Sequence, residues 1–231
     1  MNKSSTGIEG FDTITGGGLP TARTSLIFGG PGSGKTIFAL QALVNGARQF
    51  NEPGLFVTFE ENSREILANA KSFGWDLDSL EKSGLFFLDA RTSPDVVKAG
   101  SFNLESMLAT LGAKIQEIGA RRIVFDSLDV LLTLLDDPNA ARSESYRISD
   151  WLTDNELTGL ITIRAPGWDP LLNQPFAFLQ FLADCLIHLD HATHDRVSLR
   201  TLRVVKYRGT QFAENEFPIS IGRNGMEVAS F

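Results

Sequence analysis

The residues best suited to chemistry are Gly29-Gly30-Pro31-Gly32-Ser33-Gly34-Lys35-Thr36, which fit the spacing of a phosphate-binding P-loop: Gly, four residues, then Gly-Lys-Thr. Glycines at these places let backbone N–H groups turn inward around phosphate oxygens with no Cβ in the way, and the start of a following helix adds partial positive charge. In such a loop Lys35 supplies a fixed positive charge for the outer phosphates, and Thr36 a hydroxyl for Mg²⁺. Acids at the ends of apolar runs complete the set. Asp126 closes Ile123-Val124-Phe125, where a carboxylate holds Mg²⁺ directly or through water. Glu60 and Glu61 follow Leu55-Phe56-Val57-Thr58-Phe59, and either one suits the orientation and polarisation of an attacking water. Asp89 is a further acid in the same kind of place, after Leu85-Phe86-Phe87-Leu88. A single acid at a strand end is as readily a solvated residue; the joint arrangement is what points to a site.

These residues need a scaffold, and the chain's periodicities supply one. Thr24 to Phe28 reads as a buried strand before the P-loop, and Ile37, Leu40, Gln41 and Val44 open a helix after it. Asn51-Glu52-Pro53-Gly54 is a break, and the strand after it places Glu60 and Glu61 beside the P-loop strand. Asn62 or Ser63 caps a helix carrying Ile66, Leu67, Ala70 and Phe73, which Gly74 stops. Leu104, Met107, Leu108, Leu111, Ile115 and Ile118 hold one helical face that ends at Gly119. Arg121 to Ser127 is the next strand. A helix over roughly Ala141 to Leu157 turns Tyr146, Ile148, Trp151 and Leu152 inward and stops at Gly159, before a strand at Leu160 to Ile163. Helices alternating with apolar strands call for a mostly parallel α/β sheet covered on both faces. From Asp184 onward the pattern changes to strands at Cys185 to Leu189, Val197 to Tyr207, Phe217 to Ile221 and Met226 to Val228, an antiparallel C-terminal meander. With no repeat or linker, residues 1–231 read as one domain.

Composition narrows the function classes. A chain of 231 residues, 42% hydrophobic and 21% charged, builds a well-cored α/β domain. A net charge of −7 argues against a general nucleic-acid binder, whose affinity comes from Lys and Arg neutralising phosphates. The one cysteine, Cys185, precludes an internal disulfide and suits a reducing cytoplasm, with its thiol buried as a small hydrophobe. No apolar run approaches a membrane span, so a soluble cytoplasmic protein is expected. The spaced histidines His188, His191 and His194 fall where a turn between strands is expected; on an extended chain their rings do not converge on a metal.

Several stretches together resemble the circadian-clock ATPase family KaiC, within the RecA-like superfamily. They are Thr6-Gly7-Ile8 with Phe11-Asp12, Gly17-Gly18-Leu19-Pro20, the P-loop, Val57-Thr58-Phe59-Glu60-Glu61, Ser72-Phe73-Gly74-Trp75-Asp76-Leu77, Arg121-Arg122-Ile123-Val124-Phe125-Asp126-Ser127 and Lys206-Tyr207-Arg208-Gly209-Thr210. The resemblance is nearest to the N-terminal of that family's two domains. It implies a RecA-like fold, a slow ATPase that uses ATP and Mg²⁺, and a homo-hexameric ring with ATP between neighbouring subunits and a KaiB-like protein partner. On the same basis Gly30, Pro31, Gly32, Ser33, Gly34, Lys35 and Thr36 bind the phosphates, with Thr36 and Asp126 holding Mg²⁺. Ser72 lies near the nucleotide, and Glu60 and Glu61, with Lys35, carry the catalysis. Lys206, Tyr207, Arg208 and Thr210 bind ATP, with Lys206 and Arg208 reaching the γ-phosphate held by the neighbour. The chain departs from the family at Ala22, at Phe212 in place of a His, at Gly222-Arg223 in place of Thr-Asp, and along Ile163 to Pro170.

Other uses of the same residues remain open at this level. A protein kinase or autokinase would pass the phosphate to a hydroxyl instead of water, although no acceptor stands out. A recombination ATPase needs basic loops near residues 136 to 145 and 164 to 175, and the first holds Asp136-Asp137 against Arg142. A nucleotide switch without designed hydrolysis would need neither glutamate.

Overall fold

The computed structural model describes residues 2–76, 79, 84–91, 103–135, 137–164 and 176–230. β1 (Lys3–Ser4) and β2 (Leu19–Pro20) form a small antiparallel pair around α1 (Phe11–Ile14). The other strands lie in one sheet: β3 (Thr24–Gly29), β4 (Gly54–Thr58), β5 (Leu85–Asp89), β6 (Arg122–Asp126), β7 (Thr158–Arg164), β8 (Cys185–His194), β9 (Val197–Tyr207), β10 (Glu216–Gly222) and β11 (Gly225–Val228). Their order is β11-β10-β9-β8-β3-β7-β6-β4-β5, parallel from β8 to β5 and antiparallel from β8 to β11. The alternation of patterns called for this mostly parallel α/β sheet with an antiparallel C-terminal meander, and the RecA-like architecture is the one the family resemblance implied.

Period-two alternation in the central strands splits the core into two faces. Ile27, Phe56 and Val124 face α2 (Lys35–Gln49) and α3 (Ser63–Ala70), while Leu26, Phe28, Leu55, Val57, Ile123 and Phe125 face the other side. That second side is covered by α4 (Leu104–Ile118), α5 (Leu128–Thr133), α6 (Pro138–Asp154) and α7 (Leu179–Leu182). The expected caps are in place: Asn62 accepts from the Arg64 N–H, and Gly74 and Gly119 end their helical segments in the left-handed region.

Four local expectations need correction. β4 does not lie beside β3, because β7 and β6 stand between them. Gly159 is inside β7 and not at a helix end; α6 stops at Asp154, and Glu156 makes the turn at φ 52°. A glycine is needed at 159 because α6 crosses close to the strand: a Cβ there would stand 2.6 Å from Leu152 Cδ1. Tyr146, on α6, is 47% exposed, because its position falls off the stripe set by Ile148 and Leu152. β8 runs on to His194, so His188 and His191 sit in the strand, and the hairpin turn is at Asp195-Arg196, both with positive φ. Within that strand His188 and His191 lie on opposite faces.

Cys185 is fully buried in β8, and burial pushes its thiol up to about 12. The neutral thiol therefore persists well above pH 8. A thiol reagent at pH 8 is expected to leave the native chain unlabelled and to titrate one thiol after unfolding in urea; labelling of the native chain would show that β8 opens.

Candidate functional site

The P-loop forms the turn between β3 and α2, at the carboxyl end of the parallel strands, where α/β sheets take their ligands. Gly34 makes it possible: it is the residue before α2, with φ 103°, and a Cβ there would come within 2.7 Å of Met226 Cε and 2.9 Å of Ile221 Cδ1. Lys35 Nζ donates to the carbonyls of Gly29 and Gly30, each at 2.9 Å. Burial lowers the pKa of Lys35, an effect opposed by Asp126, Asp129 and Glu60, which favour the ammonium. Ser33 is buried, and its Oγ has no hydrogen-bond partner among the described residues, so the loop carries a donor suited to a phosphate oxygen.

Asp126, at the end of β6, accepts from Thr36 Oγ1 at 2.8 Å on one oxygen and from Thr162 Oγ1 on the other. Burial raises its pKa, and the two hydroxyls and Lys35 pull it back. One carboxylate and one threonine hydroxyl, both oxygen donors, fit Mg²⁺, which keeps most of its remaining ligands as water and phosphate. Among the described residues no cluster of three or more His, Cys, Asp and Glu side chains is placed to hold a metal without such help.

A cavity of 680 Å³ runs from Gly32, Gly34, Lys35 and Thr36 past Glu61 to Ser72, Phe73 and Trp75. Phe73 and Trp75 pack at 4.9 Å between ring centroids, an apolar end opposite the P-loop. Although β4 is remote from β3, it lies beside β6, and their pairing runs on past Thr58: Phe59 N–H donates to the Asp126 carbonyl at 2.8 Å, and Thr58 Oγ1 donates to the Glu61 carbonyl at 2.7 Å. The two glutamates thereby separate. Glu61 lines the cavity, and burial, followed by Asp126, Glu60 and Glu65, raises its pKa. Glu60 instead accepts from Arg164 Nη1 at 3.3 Å. Asp89 is taken by Arg91 at 2.7 Å and stands on the edge strand β5, outside the cavity.

The other expected residues divide. Ser72 lines the cavity, with its Oγ donating to the Asn69 carbonyl at 2.7 Å. Lys206, Tyr207, Arg208 and Thr210 are not brought to this P-loop. Lys206 pairs with Leu186 and Tyr207 with Cys185, level with Leu26 and Ser25 at the start of β3. At about 3.3 Å per residue they lie ~10 Å or more down the sheet from Gly29. Lys206 Nζ donates to the carbonyls of Gln180 (2.8 Å) and Ala183 (2.7 Å), and burial lowers its pKa, with Arg208 adding to the shift. Arg208 Nη1 is 3.5 Å from Asp184, and the Tyr207 hydroxyl donates to the Gly18 carbonyl at 2.8 Å. Thr210 Oγ1 faces the Gln211 carbonyl at 3.3 Å. Arg200 was missed by sequence reasoning: it lines the cavity, and its Nε donates to the Gly32 carbonyl at 3.0 Å. No local signal marks it, since its position depends on β9 folding back beside β8. Leu77, residues 165–175 and Asp136 lie outside the described residues, as does the His194 side chain.

No helix among the described residues is long and apolar enough to cross a membrane. The family model described as the KaiC ATPase matches residues 4–230. The circadian clock protein KaiC2 of a Synechocystis strain is 40% identical over 228 residues, which is 98% of this chain and 40% of that protein. The circadian clock oscillator protein KaiC of Prochlorococcus marinus is 38% identical over 231 residues, 99% of this chain and 46% of that protein. This chain therefore spans less than half the length of these relatives. A P-loop joined through Thr36 to a buried acid, on a RecA-like sheet matched from end to end, leads to one conclusion: the chain belongs to the KaiC ATPase family.

Proposed function

We propose that this chain is a domain that hydrolyses ATP, in a homo-hexameric ring with each site completed by the neighbouring subunit. The P-loop amides, Ser33 and Lys35 bind the phosphates, and Thr36 and Asp126 would hold Mg²⁺, which would supply neutralisation of phosphate charge. Glu61 holds the attacking water and takes its proton, since it faces the cavity while Glu60 is paired with Arg164. The observation that carries the ring is the position of Lys206 and Arg208 at the far end of the sheet from their own P-loop. There they are out of reach of their own nucleotide, and they would serve another copy's by exchanging the carbonyls and Asp184 that they now bond. Nucleotide state would then set ring assembly and affinity for a KaiB-like partner, as the family resemblance implies, in a circadian clock, which is what the names of the relatives suggest.

Sizing and phosphate release, measured together with and without Mg-ATP, test this. The chain is expected to assemble only with nucleotide, and Lys206→Ala to lose turnover more than nucleotide affinity. A chain that stays monomeric with saturating Mg-ATP would sink the ring. Glu61→Gln is expected to slow turnover by about 10²-fold or more. Because the base must be ionised and its pKa is raised, turnover should fall on the acid side at a higher pH than an ordinary glutamate would give. A Glu61→Gln variant that keeps both rate and acid limb would move the base elsewhere.

A further inference from the structure

At the end of β7 stands a charge cluster with a feature the reaction above leaves unused. Arg164 pairs across the sheet with Gly29, the first glycine of the P-loop. Asp129, with its side chain only 6% exposed, holds it twice: the Arg164 backbone N–H donates to Oδ1 at 3.1 Å, and Nε donates to Oδ2 at 2.8 Å. Nη1 is left to reach Glu60 at 3.3 Å, through two side chains that are each about half exposed. The two attachments are unequal. A buried carboxylate that bonds the Arg164 backbone and Nε anchors one edge of the guanidinium, whereas the exposed contact at Nη1 is weak and easily exchanged. The same Gly29 accepts from Lys35 Nζ at 2.9 Å, so the strand pairing sets Arg164 across from the residue that holds the ammonium expected to receive the outer phosphates.

We propose that Arg164 is a second phosphate-binding cation supplied by the same chain as the P-loop, and that its guanidinium exchanges Glu60 for the terminal phosphate of a bound triphosphate while Asp129 keeps hold of its other edge. This rests on the reading of the P-loop as a nucleoside-triphosphate site. A terminal phosphate carries more charge than Glu60 and offers three oxygens to the planar fork, so it outcompetes the carboxylate. A diphosphate lacks that group. Arg164 thus makes the site favour triphosphate over diphosphate, and Glu60 opposes it as a built-in competitor.

Equilibrium binding by calorimetry, with Mg-AMPPNP as the non-hydrolysable triphosphate and Mg-ADP as the comparison, tests the exchange on the whole chain. Arg164→Gln is expected to weaken AMPPNP binding by about tenfold and leave ADP within about twofold. Arg164→Lys, which keeps the charge but loses the fork, should fall between. Glu60→Gln removes the competitor and is expected to tighten AMPPNP by about threefold or more, a gain that should shrink in the Arg164→Lys background, where simple relief of charge repulsion would persist. Equal losses for both nucleotides, or an AMPPNP-to-ADP ratio unchanged in Glu60→Gln, overturns the proposal. The exposed Glu60→Gln variant carries the test even if Arg164→Gln fails to fold. If the unmodified chain binds neither nucleotide, the triphosphate-site reading falls too; if it binds both and the variants do not separate them, the exchange alone is wrong.

Discussion

Lys35→Ala is expected to weaken ATP binding and phosphate release by about 10²-fold or more, the loss typical of removing one preorganised charge from a phosphate site. The ammonium is held by the Gly29 and Gly30 carbonyls at the mouth of the loop; burial lowers its pKa, and Asp126, Asp129 and Glu60 oppose that shift. Without it the loop loses a cation that offsets these three carboxylates, and phosphate binding weakens accordingly. Calorimetry with Mg-ATP and a phosphate-release assay read the two effects separately. Because Lys35 is buried and bonded to two carbonyls, the unfolding midpoint is expected to fall as well, so binding is compared under conditions where both chains are folded. A variant that binds ATP as tightly as the parent would remove Lys35 from the phosphates.

The largest expected effect on stability is at Arg122, a guanidinium with a side chain only 1% exposed at the start of β6. It donates to Glu52 Oε2 at 2.6 Å, to the Ala42 carbonyl at 2.7 Å and to the Ser5 carbonyl at 2.7 Å, with its carbon 5.6 Å from the Phe50 ring centroid. It therefore ties the N-terminal segment and the body and end of α2 to the sheet with one side chain. Arg122→Ala leaves two carbonyls and a carboxylate short of a donor and opens a cavity, so a loss of about 3–5 kcal/mol is expected. Urea unfolding should show a lower midpoint with an unchanged slope. Glu52→Gln, on the more exposed partner, should cost much less. A loss under about 1 kcal/mol for Arg122→Ala would mean that the bonds contribute little beyond offsetting desolvation.

The structure separates Glu60 from Glu61, which adjacent positions in the chain could not. Both follow β4 and carry the same charge, yet one lines the cavity and the other is drawn off by Arg164, a residue 104 positions away. Strand order lies behind this. Placing Glu60 and Glu61 beside the P-loop strand assumed that consecutive strands are neighbours, and β7 and β6 intervene. The acids still reach the site because β4 lies beside β6, level with Asp126 at its end.

Whatever is written in short-range pattern was legible in the sequence. The strand, glycine loop and helix around Lys35, the caps at Asn62 and Gly74, the acid closing β6 and the change from alternating to meandering strands all depend on residues a few positions apart, where sterics and periodicity act directly. Tyr146 and Gly159 misled because the helix face and the helix–strand approach are set by packing partners from elsewhere in the chain. Tertiary structure alone decided that Thr36 meets Asp126, that Arg200 reaches Gly32, that Arg164 stands between Asp129 and Glu60, and that Lys206 and Arg208 lie far from the P-loop of their own chain. Each of these depends on which strands lie side by side and in what register, a choice made by long-range burial of the sheet's two faces and invisible to local pattern.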